Sequence, residues 1–170
     1  QLPKSIQKVG IFVNASSAVI SQAVQSYHLN LVQLHGNESP EFCQQLKVAI
    51  PALKIIKVFR LGAIDFDFTQ LKPFETHIDF FLFDTKGKQY GGNGTAFNWD
   101  ILAQYPSKTP FFLSGGIGAN DAQKVQQWQQ KHPHLPLYAL DLNSKFETKP
   151  ALKDYPKLSH FIEALKVNIR

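Results

Sequence analysis

The sequence predicts an α/β fold in which helices cover a parallel sheet. Three observations support this prediction. Short apolar runs alternate with longer amphipathic stretches along the chain, and such alternation is typical of parallel sheets. Polar or glycine-rich segments follow nearly every apolar run. The chain has 170 residues, of which 44% are hydrophobic and 18% charged, so it is long and apolar enough for one well-packed domain.

Six apolar runs are predicted to be strands, because each is short and bounded by residues that favour turns. They cover residues 8–13, 31–34, 55–59, 78–83, 111–113 and 137–140. The fourth run contains Phe80, Phe81, Leu82 and Phe83 in succession. Side chains of a strand alternate between its two faces, so four apolar residues in a row predict a strand that is buried on both faces.

A helix is predicted after each strand, from apolar side chains that recur at helical spacing. The helical segments are 16–27, one that opens at 39–41, 65–75, 99–105, 120–131 and 155–167. Ser16, Ser39 and Asn120 are the expected N-caps, since short polar side chains accept hydrogen bonds from the first turn. Pro73 interrupts the third segment, which is therefore predicted to be a poorer helix.

Two architectures fit this alternation: an open doubly wound sheet and a (β/α)8 barrel. Six strands favour the open sheet, because a barrel has eight and is usually built from a longer chain. The position of the polar segments favours the barrel, because an open sheet gathers its functional residues at one switch point. The residues alone leave both architectures open.

The composition narrows the classes of partner. The net charge is +5 and the pI is about 9.3, but the basic residues are spread along the chain. We therefore expect no nucleic-acid partner, only a mild attraction for small anions. No apolar stretch is long enough to cross a membrane, so no membrane partner is expected. The one cysteine, Cys43, excludes an internal disulfide and predicts a reducing, cytoplasmic location. It lies in the middle of a predicted helix, where we expect its side chain to pack in the core rather than to react.

Asp84 is the most informative polar residue. It closes the fourth apolar run and is followed by Thr85 and a glycine-rich segment, 87–94. A carboxylate in this place is either a turn residue or a catalytic group at the rim of a barrel. The segment 87–94, flanked and interrupted by Lys86 and Lys88, is interpreted either as a loop that covers an anionic substrate or as a plain surface loop.

Gln33 and His35 mark the end of the second strand. Residues two apart on a strand share a face, so both side chains are expected to point into the same space before Gly36 turns the chain. Histidine can act in catalysis or can simply hold a structural hydrogen bond. The sequence does not separate these two roles.

Two segments suggest a phosphate site. The first, 114–118, carries Gly115 and Gly116 directly after the fifth strand and before a helix. Exposed N–H groups and a helix N-terminus favour an anion, although a tight turn that needs positive φ gives the same pattern. The second, 141–144, follows the sixth strand. In barrels the last two strand-end loops often share a phosphate site, so the two segments together predict one.

These motifs, in this order, resemble the phosphoribosylanthranilate isomerase family of tryptophan biosynthesis. The most specific are Val-Gln-Leu-His-Gly at 32–36 and Tyr-Gly-Gly-Asn-Gly at 90–94. The other matching stretches are 9–14, 83–85, 97–99, 114–117 and 141–144. The resemblance implies a (β/α)8 TIM barrel, of which about six βα units are present. It also implies an Amadori rearrangement of N-(5-phosphoribosyl)anthranilate to 1-(2-carboxyphenylamino)-1-deoxyribulose 5-phosphate, the third step from chorismate to tryptophan.

The resemblance also implies the roles of individual residues. Asp84 becomes the general acid, which protonates the furanose ring oxygen and helps to open the ring to a Schiff base. Neither cofactor nor metal is implied, and the partner is one phosphorylated small molecule bound by a monomer or homodimer. The substrate-binding residues are Gln33, His35 and Asp141, and the phosphate-binding residues are Gly115, Gly116, Asn143 and Ser144.

The chain departs from the family pattern in several places. The family's general base, a cysteine in a Lys-x-Cys-Gly motif, has no match in the sequence, and neither has its arginine in a Lys-Ser-x-Arg segment. Lys145 stands where many relatives have glycine. With a first residue, Gln1, that is not Met, these departures predict that 1–170 is a single domain that lacks its first two βα units and is inactive alone. The alternative is a non-catalytic phosphate-binding TIM-barrel paralogue.

Overall fold

The structure is a computed structural model that describes residues 3, 5–62, 66–85 and 98–166. Six strands form one sheet in chain order. They are β1 Val9–Phe12, β2 Leu31–Leu34, β3 Lys54–Leu61, β4 Phe80–Thr85, β5 Phe111–Leu113 and β6 Leu137–Leu140. β1 pairs in parallel with β2, and β2 with β3. A doubly wound sheet reverses its strand order near the middle, whereas the order here runs without reversal from β1 to β6. The fold is therefore of the (β/α)8 barrel class, and the described residues supply six of its strands.

Helical segments connect these strands, and a small hairpin and a final helix follow the last of them. The helices are α1 Ser17–Tyr27, α2 Pro40–Ala49, α3 Ala122–Lys131 and α4 Tyr155–Lys166. Three further segments are 3₁₀ helices: Phe68–Phe74, Trp99–Gln104 and Ser144–Phe146. A hairpin of β7 Glu147–Lys149 and β8 Leu152–Lys153 lies between β6 and α4. In the described part of the chain, no helix is both long enough and apolar enough to span a bilayer.

The predicted caps of α1 and α2 are confirmed. Ser16 Oγ accepts from the N–H of Val19 at 3.4 Å, and Ser39 Oγ accepts from the N–H of Phe42 at 3.3 Å. The predicted cap of α3 is wrong, because Asp121 rather than Asn120 occupies that position. The Asp121 side chain makes no capping bond and instead turns back to the preceding glycine loop.

Other boundaries also differ from the sequence prediction, among them the segment around Pro73 and the start of β4. The segment around Pro73 is a 3₁₀ helix rather than an α-helix, because proline removes a donor and crowds the preceding turn. β4 begins at Phe80, two residues later than predicted. Asp79, the residue before β4, has its side chain bound to neighbouring segments. Its Oδ2 accepts from the N–H of Ile55 at 2.7 Å and from Lys47 Nζ at 2.5 Å.

The chain divides into two compact units, each with its own core. The first contains Gln1–Phe59, Asp67–Leu82 and Thr109–Phe111, and the second contains Arg60–Phe66, Phe83–Lys108 and Phe112–Arg170. All four apolar residues at 80–83 are buried, which confirms the prediction for that strand. The largest fully buried side chains of the first unit include Ile20, Leu34, Leu46, Ile55, Ile56 and Phe81, and those of the second include Phe83, Phe146 and Phe161.

Candidate active site

Asp84 is the second-to-last residue of β4, at the carboxyl end of the strand. Only 9% of the residue is exposed. Its Oδ1 accepts the N–H of Thr85 at 2.8 Å, so the strand's own backbone orients the carboxylate. A buried carboxyl group needs such compensation, because burial without hydrogen bonds is costly. The structure therefore places Asp84 at the strand end where the sequence predicted it.

Backbone hydrogen bonds bring the ends of β4, β5 and β6 side by side. The N–H of Ser114 donates to the carbonyl of Phe83 at 2.9 Å, and the N–H of Asp141 donates to the carbonyl of Leu113 at 2.9 Å. Each bond extends the strand ladder by one step past the strand end. Asp84 near the end of β4, Ser114 just after β5 and Asp141 just after β6 consequently lie at the ends of three neighbouring strands, at the same edge of the second unit.

Asp141 is the centre of a hydrogen-bonded cluster at this edge. Ser114 Oγ donates to Asp141 Oδ2 at 2.9 Å. Asn143 Nδ2 donates to the other carboxyl oxygen, Asp141 Oδ1, also at 2.9 Å. Both oxygens of the carboxyl group are thus held, and the loops after β5 and β6 are joined through it.

Burial raises the pKa of Asp141, and the nearby carboxylate of Asp84 raises it further. The hydrogen bonds from Ser114 and Asn143 and the positive charge of Lys153 act in the opposite direction without cancelling the rise. Burial and a nearby negative charge both favour retention of a proton by the Asp141 carboxyl group. The edge formed by β4, β5 and β6 is suited to acid–base chemistry.

We expect Asp141→Asn to raise the melting temperature at neutral pH and to change it little in acid. Because burial raises the pKa of Asp141 in the folded state, folding holds this proton more tightly than the unfolded chain does. The stability from this group is present below the ordinary carboxyl pKa of about 3.9 and is lost as the pH rises through the raised value. Asparagine has no charge to bury and keeps an oxygen that can accept from Ser114. Thermal melts near pH 3 and pH 7 measure the effect; an equal loss of melting temperature at both would contradict it.

The glycine loop after β5 adopts the conformation that glycine favours. Gly115 has φ 90° and Gly116 has φ 70°, which confirms the expectation of positive φ. The N–H of Gly118 is already used, since it donates to Asp121 Oδ2 at 2.7 Å. This N–H group of the segment 114–118, which was predicted to bind phosphate, therefore has a protein partner in the structure.

The two segments predicted to share a phosphate lie against each other. A Cβ added at Gly118 would be 4.0 Å from the Cβ of Lys145. Asn143 and Ser144, in the same loop as Lys145, are exposed. The structure thus brings the loops after β5 and β6 together, as the order of the motifs predicted, and places a lysine between them.

Gln33 and His35 belong to the first unit and are both buried, with 7% and 8% exposed. Gln33 Nε2 lies 3.3 Å from His35 Nδ1, so the two side chains share a face, as predicted. The N–H of His35 donates to the carbonyl of Phe12 at 2.8 Å. This bond continues the pairing of β1 and β2 beyond the end of β2.

A buried ion pair that the sequence analysis missed supports this strand end. Lys57, on β3, is 3% exposed, and its Nζ lies 3.0 Å from Glu38 Oε2. The same ammonium donates to the carbonyls of Leu34 at 3.2 Å and Gly36 at 2.8 Å. Glu38 Oε1 accepts the N–H of Asn14 at 2.8 Å. The ion pair ties the chain just after β1 and the end of β2 to the middle of β3. A lysine inside the apolar run 55–59 was its only sequence signal.

Cys43 is fully buried, and burial raises the pKa of its thiol to about 11. A reactive thiol needs a lowered pKa and access, so the prediction of a packing role is confirmed. The glycine-rich segment 87–94 lies outside the described residues. Among the residues that are described, no group of three or more potential metal ligands is found.

Comparison with known proteins identifies the family. The family model of N-(5′-phosphoribosyl)anthranilate (PRA) isomerase matches residues 2–164. The chain is 42% identical over 161 residues to the N-(5′-phosphoribosyl)anthranilate isomerase of Parabacteroides distasonis, covering 95% of this chain and 70% of that protein. It is 43% identical over 169 residues to that of Phocaeicola vulgatus, covering 99% and 79%.

A solved structure agrees with these sequence matches. The crystal structure of phosphoribosyl anthranilate isomerase from Thermotoga maritima is 28% identical and superposes with a TM-score of 0.75. The match covers 98% of this chain and 76% of that one. The sequence order of motifs, the barrel-type strand order and these matches agree: the chain belongs to the N-(5′-phosphoribosyl)anthranilate isomerase family.

Proposed function

We propose that this chain carries the acid and the phosphate site of an isomerase that converts N-(5-phosphoribosyl)anthranilate to 1-(2-carboxyphenylamino)-1-deoxyribulose 5-phosphate in tryptophan biosynthesis. The observation that carries the proposal is the edge where β4, β5 and β6 end. There, Asp84 stands beside the cluster of Ser114, Asp141 and Asn143. Family membership supplies the reaction, and this edge supplies groups that fit its first step.

Asp84 acts as the general acid in this proposal. It gives a proton to the furanose ring oxygen while the bond from that oxygen to C1 breaks. The lone pair of the anthranilate nitrogen forms the C1=N bond of the Schiff base as the ring opens. A base then removes the proton from C2, which gives an enaminol. This becomes the ketose product when C1 gains a proton and the 2-hydroxyl group loses one. General acid catalysis of this kind contributes about a hundred- to ten-thousandfold in rate.

Asp141 contacts the substrate near the reacting ring in this proposal. Its two oxygens are fixed by Ser114 and Asn143, so its position is set before substrate arrives. Preorganised groups of this kind need little reorganisation during the reaction. Burial and the neighbouring carboxylate of Asp84 both raise the pKa of Asp141, which favours a protonated Asp141 carboxyl group.

The phosphate lies between the loops after β5 and β6 in this proposal. Gly115 and Gly116 turn the backbone with positive φ, which favours close approach of an anion to backbone N–H groups. Asn143 and Ser144 are exposed on the facing loop. Lys145 adds a positive charge where the two loops meet. Gln33 and His35 are proposed as substrate-binding residues because the family resemblance implies that role.

The single cysteine supports a reducing, cytoplasmic location for this enzyme. A monomer or homodimer is the assembly expected of it. Sedimentation of the purified protein distinguishes these two assemblies.

Turnover of the substrate tests the proposed function. We expect the full product of the gene to remove the fluorescence of N-(5-phosphoribosyl)anthranilate, with the ketose phosphate identified by mass spectrometry. The same assay on residues 1–170 alone addresses the predicted inactivity of that chain. Binding of the product by the full gene product without any turnover would instead support a non-catalytic phosphate-binding protein.

A further inference from the structure

Lys153 lies on the β7–β8 hairpin, outside the residues that carry the proposed chemistry. Its Nζ donates to the carbonyl of Leu142 at 2.9 Å and to Asn143 Oδ1 at 3.3 Å. It also donates to Glu147 Oε1 at 2.8 Å, the residue opposite it on β7. Two of its three hydrogen-bond partners therefore belong to the loop after β6, which carries Asp141.

The hairpin gives Lys153 a fixed base. Phe146 and Phe161 are both fully buried, and their ring centroids are 5.0 Å apart, which anchors the start of the hairpin on α4. The N–H of Asp154 donates to the carbonyl of Phe146 at 2.8 Å, which closes the hairpin just after Lys153. Because both ends of the hairpin are fixed in this way, the Lys153 side chain projects from a rigid backbone and can hold other groups in place.

Lys153 determines which way the Asn143 amide faces. The oxygen of that amide accepts from Lys153, and its Nδ2 donates to Asp141 Oδ1. A reversed amide would turn its NH2 group towards the ammonium and its oxygen towards the carboxylate, and both contacts would then be repulsive. One continuous set of hydrogen bonds thus runs from Lys153 through Asn143 and Asp141 to Ser114.

Lys153 also acts on Asp141 through its charge. Burial and the carboxylate of Asp84 on β4 raise the pKa of Asp141, and the ammonium of Lys153 on β8 lowers it. These are the charged groups that the structure places against Asp141 in the described residues. Without Lys153, burial and the Asp84 carboxylate would still raise the pKa of Asp141, and the positive charge that opposes them would be gone.

We propose that Lys153 is a positioning residue of the isomerase site: it fixes the Asn143 amide and, through it, holds Asp141 in place for the phosphoribosyl part of the substrate. The proposal rests on the proposed function for its substrate. The hydrogen bonds from Lys153 to Asn143 and from Asn143 to Asp141 carry it. Lys153 touches neither substrate nor reacting atoms in this arrangement.

Titration of Asp141 tests the proposal without any ligand. We expect Lys153→Met to raise the pKa of Asp141, measured by carbon NMR of its labelled carboxyl group, and Lys153→Arg to keep it near the wild-type value. Lys149→Met is the matched control, because Lys149 is an exposed lysine on the same hairpin. An Asp141 titration in Lys153→Met that coincides with that of Lys149→Met would overturn the proposal.

Binding of the reaction product is the second measurement. Calorimetry should show that Lys153→Met weakens binding of 1-(2-carboxyphenylamino)-1-deoxyribulose 5-phosphate about tenfold, because Asn143 loses the charge-assisted hydrogen bond that orients it and Asp141. Lys149→Met should bind it as the wild type does. If Lys153→Met does not fold, the comparison of Lys153→Arg with Lys153→Gln decides the same point. A wild-type protein that binds no product would count against the proposed function, while the Asp141 titration would still decide the role of Lys153.

Discussion

Asp84→Asn is expected to lower turnover about a hundred- to ten-thousandfold, which is the usual contribution of one acid–base group. Asparagine fills the same space and keeps an oxygen for the N–H of Thr85, which Asp84 Oδ1 now accepts at 2.8 Å. It has no proton to give to the ring oxygen. Substrate affinity should therefore change little while kcat falls.

Steady-state kinetics of the full gene product separate these two effects, because a loss confined to kcat removes an interaction made in the transition state. Asp100→Asn is the control. Asp100 belongs to the same unit, but half of its side chain is exposed and it pairs with Lys131 at the surface. Near-normal turnover in Asp84→Asn would refute the assignment of the acid.

Lys57→Met is expected to destabilise the protein by about 3–5 kcal/mol, the usual cost when one partner of a buried ion pair is removed. Burial works to raise the pKa of Glu38, but the N–H of Asn14 and the charge of Lys57 outweigh it and hold the pKa below its usual range. Without Lys57, the carboxylate keeps its burial and loses its cation. The bonds from Lys57 to the carbonyls of Leu34 and Gly36 are lost as well.

The loss of stability in Lys57→Met is expected to depend on pH. In the wild type the lowered pKa of Glu38 contributes stability above the ordinary carboxyl pKa, and this contribution is lost as the pH falls. In Lys57→Met protonation of Glu38 relieves the buried charge, so the deficit relative to wild type should shrink in acid. Urea unfolding at neutral and acid pH measures it. The double variant Glu38→Gln/Lys57→Met should recover part of the loss.

Lys54→Met is the matched control for this experiment. Lys54 lies on the same strand, β3, but is exposed. Substitutions of exposed residues usually change stability by less than about 0.5 kcal/mol. If Lys57→Met were no less stable than Lys54→Met, the ion pair would not be a support of this strand end.

Local patterns were enough to predict most of the fold. β2, β5 and β6 have the predicted bounds, because each is a short apolar run between turn residues. Asp84 could be placed at a strand end because the run before it is too apolar to leave the core. The sequence could not predict that α3 starts after Asp121 rather than after Asn120, since asparagine and aspartate cap helices equally well. In the structure the Asp121 side chain accepts from the N–H of Gly118, a contact that no local pattern shows.

Contacts between residues distant in the chain explain what was missed. Lys57 and Glu38 are nineteen positions apart, and only the pairing of β2 with β3 brings them together. The strands of the β7–β8 hairpin have three and two residues, too few for an alternating pattern to show. Lys153 therefore looked like any surface lysine, although it reaches the loop that carries Asp141.

The unreversed strand order has a consequence for how the protein forms. Val9 pairs with Leu31, and Leu31 pairs with Lys54, so every new strand joins one that was synthesised shortly before it. Pairing strands that are neighbours in the chain closes shorter loops than a reversed order would, which lowers the entropy cost of each pairing. The sheet can therefore assemble strand by strand from its N-terminal end while the ribosome is still producing the rest of the chain.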